Sequence, residues 1–243
     1  MRVVLCYPVD DDQLSQLQAA ASDWEFVDAG QERVAAELTD ADVFIGHAKV
    51  PVPWPEIVKL GRLQWIQSSA AGIDHCLTPD VIDSPIQVTS ASGLFADAVA
   101  EQTMALLLGV IRSLPVFFQA SQVREFIRRP TTDLHHATVG IVGFGGNGRR
   151  IAEVLAAFRC RILATDLFPV DCPPHVEAVY GPEKLTELLP QFDILILAVP
   201  LTDLTRNMIN SQLLTQMKTG SILINLARGE IVVERDLVEA LHN

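Results

Sequence analysis

The stretch VGIVGFGGNGRRIAEVL, residues 139–155, decides how the rest of the chain is read. An apolar run ends in Gly143, and a helical pattern opens a few residues later, with glycines at 143, 145 and 148. That is Gly-x-Gly-x-x-Gly spacing between a strand and a helix. The first glycine permits a tight turn, the second leaves room against the backbone, and the third lets the helix approach the strand. A helix amino terminus at such a turn offers free N–H groups and the positive end of its dipole to a pyrophosphate. Asp166 ends the next strand, RILATD, near the ~20-residue offset at which an acid accepts hydrogen bonds from an adenine-side ribose. A carboxylate there repels a 2′-phosphate, so the pattern favours NAD over NADP. Asn147 stands in a slot that is often apolar, and its amide must reach a phosphate, another partner or water.

Downstream the alternation continues. KLTELLP reads as a helix, FDILILAVP as a strand, NSQLLTQM as a helix, GSILINLA as a strand and VERDLVEALHN as a helix. Upstream, RVVLCY, DVFIG, LQWIQSS and IQVTS read as strands, and DDQLSQLQAAA as a helix with an aspartate cap. Strands separated by helices indicate parallel sheets covered on both faces. Between the two alternating halves lies LFADAVAEQTMALLLGVIRSLPVFF, which reads as one long buried helix as far as Pro115, connecting two domains. The polar stretch SQVREFIRRPTTDLHHAT then reads as a short helix and a loop.

Composition sets outer limits. Apolar residues make up 49% and charged residues 20% of 243, which suits a globular protein with a substantial core. The net charge of −12 argues against nucleic acid and anionic membrane as partners. The run MALLLGVI is too short to cross a bilayer. The amino terminus reaches charged residues too soon for a signal peptide. Cys6, Cys76, Cys160 and Cys172 form no CxxC pair and no zinc-ligand spacing, so no metal is expected. They read as buried, reduced thiols of a cytoplasmic protein.

Arg228 follows the apolar strand SILINLA, at the edge where doubly wound sheets bind ligands. A guanidinium can clasp a carboxylate with two parallel hydrogen bonds and polarise a neighbouring keto oxygen. The helix start just after it gives a cation no dipole benefit, which favours a functional role.

With these tracts in hand, the chain resembles the NAD-dependent D-2-hydroxyacid dehydrogenases, the group that includes glyoxylate/hydroxypyruvate reductases and phosphoglycerate dehydrogenase. LQWIQSSAAGIDH resembles the family's substrate loop, and VTSASGLFADAVAEQTMALLLGVIR its interdomain helix. TVGIVGFGGNG with Asp166 resembles its cofactor turn. LAVPLTDLTRNMI and INLARGEIVVERDLVEAL resemble its two most diagnostic downstream motifs. The resemblance implies a flavodoxin-like substrate domain over residues 1–93. It implies a Rossmann-type NAD-binding domain, including the interdomain helix, over 94–243, and a homodimer joined through the latter.

It also implies roles. Backbone amides at Ala71, Gly72 and Ile73 receive the substrate carboxylate, opposite Arg228. Gly146 and Asn147 line the pyrophosphate beside Gly143, Gly145 and Gly148, and Asp166 holds the ribose. Val199 and Pro200 pass under the cofactor. Leu226, Ala227 and Arg228 border the nicotinamide, and Thr103 touches its side. The implied activity is hydride transfer between NAD(H) and a small 2-keto or D-2-hydroxy acid, with Arg228 catalytic.

The family's general acid/base histidine and its glutamate come from a tract beyond the arginine helix. None of His47, His75, His135, His136, His175 and His242 occupies that motif. The chain is therefore expected to be a C-terminally truncated version of the enzyme, with an incomplete sheet. A second reading of the same residues is an NAD-binding, catalytically impaired interaction or regulatory module.

Overall fold

Alternate residues of the first strand, Val3 and Leu5 against Val4 and Cys6, fall into two different apolar clusters. A strand buried on both faces needs helices on both sides, which only crossover connections supply. The computed structural model describes residues 1–168 and 170–242. They divide into two units, Met1–Leu94 and Phe95 onward.

The first unit runs β1 (Arg2–Cys6), α1 (Asp11–Ala20), β2 (Glu25–Asp28), α2 (Gly30–Glu37), β3 (Val43–Gly46), α3 (Trp54–Leu60), β4 (Trp65–Ser68), α4 (Pro79–Ile82) and β5 (Gln87–Thr89). All its strands are parallel, in the order β2-β1-β3-β4-β5, which is the flavodoxin-like winding. The aspartate cap of α1 is Asp10. Its carboxylate accepts from Gln13 N–H while the Gln13 side chain accepts from Asp10 N–H, a reciprocal capping box.

The second unit runs α5 (Ala96–Ile111), α6 (Leu114–Gln122), β6 (Thr138–Val142), α7 (Gly146–Ala156), β7 (Arg161–Thr165), β8 (Ala178–Tyr180), α8 (Leu185–Leu188), β9 (Ile194–Leu197), α9 (Ser211–Leu214), β10 (Ile222–Asn225) and α10 (Glu234–His242). Its five parallel strands lie in the order β10-β9-β6-β7-β8. In the unit's own strand count this is 3-2-1-4-5 read from the other edge, the Rossmann winding. Here too the pleat sorts the core. Val139, Ile141, Ile194 and Ile196 pack with α5 and α7, whereas Val142, Leu195 and Leu197 pack with Leu188, Phe192, Ile209 and Ile231.

Three features depart from the sequence reading. The long helix is broken: α5 and α6 meet at 67°. Pro115 has no N–H for the Ile111 carbonyl, which accepts instead from Thr132 N–H at 3.1 Å. The second helix thus begins at Leu114 and ends at Gln122, and most of SQVREFIRRPTTDLHHAT is loop. Nor is α5 buried all round: Leu106 and Val110 lie exposed, while Thr103, Met104, Leu107 and Ile111 are buried. The short strands β2 and β8 sit at sheet edges. Among the cysteines, Cys6 and Cys76 are buried but Cys172 is exposed, and all four are free. No single described helix is long and apolar enough to cross a membrane.

Asp193 joins the starts of three strands. Its carboxylate accepts from Thr138 N–H (2.8 Å) and from Lys218 Nζ (2.7 Å), and its backbone bonds reach Thr138 and Ile222. Burial pushes its carboxyl up, but the Lys218 ammonium and the Thr138 N–H more than offset this and hold it below the ordinary aspartate value. A depressed folded-state value stabilises above the unfolded pKa and is lost as pH falls through the folded one. The stability advantage of wild type over Asp193→Asn, measured by urea melts, is therefore expected at pH 7 and shrinks as pH falls below about 4. A difference that is flat with pH refutes it. A Cβ on Gly140 would lie 2.4 Å from the buried Phe192 ring, so Gly140→Ala is expected to cost about 1–3 kcal/mol in the same assay.

Candidate functional site

The carboxyl ends of β6, β7, β9 and β10 converge through backbone hydrogen bonds. Gly143 N–H donates to Thr165 O (2.8 Å), Ala198 N–H to Val142 O (2.7 Å) and Leu226 N–H to Leu197 O (3.2 Å). The turn from β6 into α7 is packed tightly on one side and open on the other. Gly143 has φ +93°, and a Cβ there would sit 2.7 Å from Ala198 O and 2.9 Å from the Val199 side chain. A Cβ on Gly148 would sit 2.1 Å from Gly143 O. A Cβ on Gly145, by contrast, would meet no protein atom within 4 Å.

Gly145 is also the N-cap of α7, with no side chain satisfying the first-turn N–H groups. Those donors and the cleared space above Gly145, with Gly146 exposed beside it, fit the diphosphate of a dinucleotide. Asn147 is half-buried, and its amide makes no protein hydrogen bond among the described residues.

Asp166 stands just past β7. One carboxylate oxygen accepts from Phe144 N–H (2.6 Å) and the other from Phe168 N–H (3.0 Å). It therefore braces the glycine turn, and a carboxylate's four or so acceptor positions still leave places for two ribose hydroxyls. Phe144 is fully buried under the turn, with the Arg149 guanidinium 5.1 Å above its ring. The structure thus brings together Gly143, Gly145, Gly146, Asn147, Gly148, Asp166 and Val199 in one place.

The segments after β9 and β10 are shaped by side chains that the sequence reading passed over. Thr205 Oγ1 donates to Pro200 O (2.6 Å) and accepts from Thr202 N–H (2.8 Å), folding the chain back after Pro200. Asn225 Oδ1 accepts from Ala227 N–H (3.0 Å) and its Nδ2 donates to Arg228 O (2.8 Å). This one side chain sets the backbone of Leu226, Ala227 and Arg228. Its signal in the sequence is a lone amide ending the apolar run SILIN. Arg228 is half-buried, with Nη1 donating to Ala227 O at 3.0 Å. Thr103 is buried on α5, and its hydroxyl donates to Val99 O.

In the first unit, Ala71, Gly72 and Ile73 follow the carboxyl end of β4. Their N–H groups donate to no protein acceptor among the described residues. The turn is held from below. Fully buried Ser68 accepts from Ala70 N–H and lies within reach of the Ala70 and Gly72 carbonyls. Cys76 Sγ reaches Ile73 O at 3.3 Å. Burial, with Asp74 second, pushes the Cys76 thiol up to about 11, so it is a packing group rather than a nucleophile. His47 and His75 stack with ring centroids 4.0 Å apart.

Comparison with known proteins identifies the family. The family described as D-isomer specific 2-hydroxyacid dehydrogenase, NAD binding domain, matches residues 104–243. A glyoxylate reductase of Thermococcus kodakarensis is 34% identical over 191 residues, covering 74% of this chain and 56% of that protein. A glycerate dehydrogenase of Methylorubrum extorquens is 30% identical over 220 residues, covering 86% and 66%. The crystal structure of a D-lactate dehydrogenase from Aquifex aeolicus, complexed with NAD and lactic acid, superposes with TM-score 0.82 at 25% identity. That match covers 100% of this chain and 73% of the other. The chain thus spans between about half and two thirds of the length of these two curated relatives.

The two outer glycines and the middle one are expected to respond differently to alanine. Gly145→Ala should leave stability within about 0.5 kcal/mol, since no atom of the described residues lies within 4 Å of a methyl there. It should nonetheless weaken NADH binding by about tenfold or more, because the methyl enters the cleared space. Gly148→Ala should lower both. Unchanged NADH affinity in Gly145→Ala, read by fluorescence titration, would show that no ligand uses that space.

Proposed function

The chain belongs to the D-isomer-specific 2-hydroxyacid dehydrogenases and carries their NAD-binding domain, and from that premise we propose that it transfers a hydride between NAD(H) and a small 2-keto or D-2-hydroxy acid. The observation that carries the reading is the open face of Gly145 above an uncapped helix, braced by Asp166. In this reading Gly143, Gly145, Gly146, Asn147 and Gly148 seat the diphosphate. Asp166 takes the ribose and disfavours a 2′-phosphate. Val199 and Pro200 run beneath the cofactor. Leu226, Ala227 and Thr103 border the nicotinamide, which supplies or accepts the hydride when bound.

Arg228 is the catalytic residue of the proposal. Its guanidinium clasps the substrate carboxylate and polarises the neighbouring carbonyl oxygen, so that negative charge developing there during reduction is met by a fixed cation. The open N–H groups of Ala71, Gly72 and Ile73 form a second carboxylate-receiving turn. The six histidines are not assigned the proton transfer: His47 and His75 stack together, His135 and His136 form an edge-to-face pair, His175 Nε2 is buried, and His242 lies exposed in the last turn of α10. A chain working without a positioned acid/base loses a factor of roughly 10²–10⁴ in rate but keeps binding.

Two further parts of the reading concern the setting. Exposed Leu106 and Val110 on α5, Phe118 on α6 and Phe126 in the loop beyond it support self-association as a homodimer. Four free cysteines support a reducing, cytoplasmic location.

The test is NADH oxidation with glyoxylate, hydroxypyruvate and related keto acids. Arg228→Ala is expected to lower kcat/KM by roughly 10²–10³-fold, the usual loss when one donor to a developing oxyanion is removed. NADH affinity should be preserved. Full activity in Arg228→Ala, or a wild-type chain that binds NADH yet turns over none of the acids, refutes the dehydrogenase reading.

A further inference from the structure

The amino-terminal edge of the second sheet, opposite the glycine turn, carries a hollow of about 280 Å³. It is bounded by His136 just before β6, by Arg159 and Arg161 at the start of β7, and by His175 and Glu177 leading into β8. The full length of a five-residue strand, ~16 Å, separates this edge from the cofactor turn.

The charge of this hollow runs against that of the molecule. The chain carries −12 overall, yet the lining holds two arginines and two histidines against a single acid. That acid is already taken. Glu177 is clasped by Arg161 through two hydrogen bonds of 2.7 Å each, and Arg161 Nη1 donates to Gln191 Oε1 at 2.9 Å. Arg159 donates no side-chain hydrogen bond and joins no ion pair among the described residues. The hollow thus keeps one unneutralised guanidinium.

The backbone makes the same point independently. Arg159 has φ +53° and His136 φ +62°. For residues with a Cβ this left-handed conformation is disfavoured by roughly 1–2 kcal/mol. Arg159 follows the end of α7, a position where glycine is the common choice because it escapes this cost. Ser113, Arg124 and Asn207 adopt the same conformation elsewhere in the chain, so the strain alone does not mark the hollow; what is particular here is that two such residues, Arg159 and His136, border one hollow. Beside them, His175 Nε2 is buried with no hydrogen-bond partner among the described residues.

We propose that this hollow is an anion site, separate from the cofactor edge, that takes one small oxyanion group, phosphoryl or carboxylate, on Arg159 with His136 and His175 beside it. A planar guanidinium fork matches either oxyanion. The volume, just below the ~300–1,000 Å³ typical of ligand pockets, matches a small acid.

Glycine substitutions separate binding from folding here, because they relieve the strain while deleting the side chain. Wild type, Arg159→Gly and His136→Gly are titrated by calorimetry with inorganic phosphate and, separately, with citrate, at constant ionic strength. Wild-type binding of phosphate alone assigns a phosphoryl ligand, and binding of citrate alone a carboxylate one. In either case Arg159→Gly weakens the response by at least about tenfold, a loss of 1.4 kcal/mol. His136→Gly weakens it to a lesser degree. Both variants, without anion, melt at or above the wild-type temperature, and both keep wild-type NADH affinity. Equal anion affinity in all three proteins, or no response to either anion in any, overturns the proposal.

Discussion

The second unit depends on one close approach. Helix α7 lies so near the end of β6 that a methyl on Gly148 would sit 2.1 Å from the Gly143 carbonyl oxygen. No side chain fits there, so the helix axis passes directly over the strand end and its amino terminus opens at the sheet edge. The other parts of the edge follow from that placement. Phe144 is driven into the core beneath the turn, its N–H turns to Asp166, and Gly143 comes to rest against Ala198 and Val199. A glycine turn with a longer crossing would leave these groups apart. The packing of one helix on one strand and the shape of the ligand edge are thus a single constraint seen from two sides.

Much of this was legible in the sequence, and the reason is burial. Strands covered on both faces read as unbroken apolar runs, and FDILILAVP and GSILINLA correspond to β9 and β10. The glycine spacing and Asp166 were legible because each serves a backbone geometry that few residues satisfy. The less legible parts carry weaker signals. The edge strands β2 and β8, of four and three residues, are only partly buried and show no strong pattern. The corner at Pro115 was read as the end of a run rather than a change of direction, since composition does not record where a freed carbonyl goes. Asn225 and Thr205 shape the site through side-chain hydrogen bonds to the backbone, which no periodicity reveals.

The two units show how the same winding rule serves different chemistry. Each places its loops at the carboxyl ends of parallel strands. In the first unit the loop after β4 leaves backbone N–H groups open above a buried serine. In the second, the loops after β6, β9 and β10 carry a cleared glycine, a folded-back proline segment and an arginine. The opposite edge of that second sheet is ordinarily a place for stability alone, and Asp193 serves it in that way by joining three strand starts. The proposed anion site at Arg159 and His136 departs from this division.

The Asn225 amide has an entropic consequence. By bonding both Ala227 N–H and Arg228 O, it freezes the main chain under the arginine during folding. Ordering a residue's backbone costs roughly 1–2 kcal/mol, and here that loss is met once, by the core, before any ligand arrives. On the proposed reading of Arg228, an incoming acid then has only side-chain rotors to immobilise, so more of its contact energy emerges as affinity.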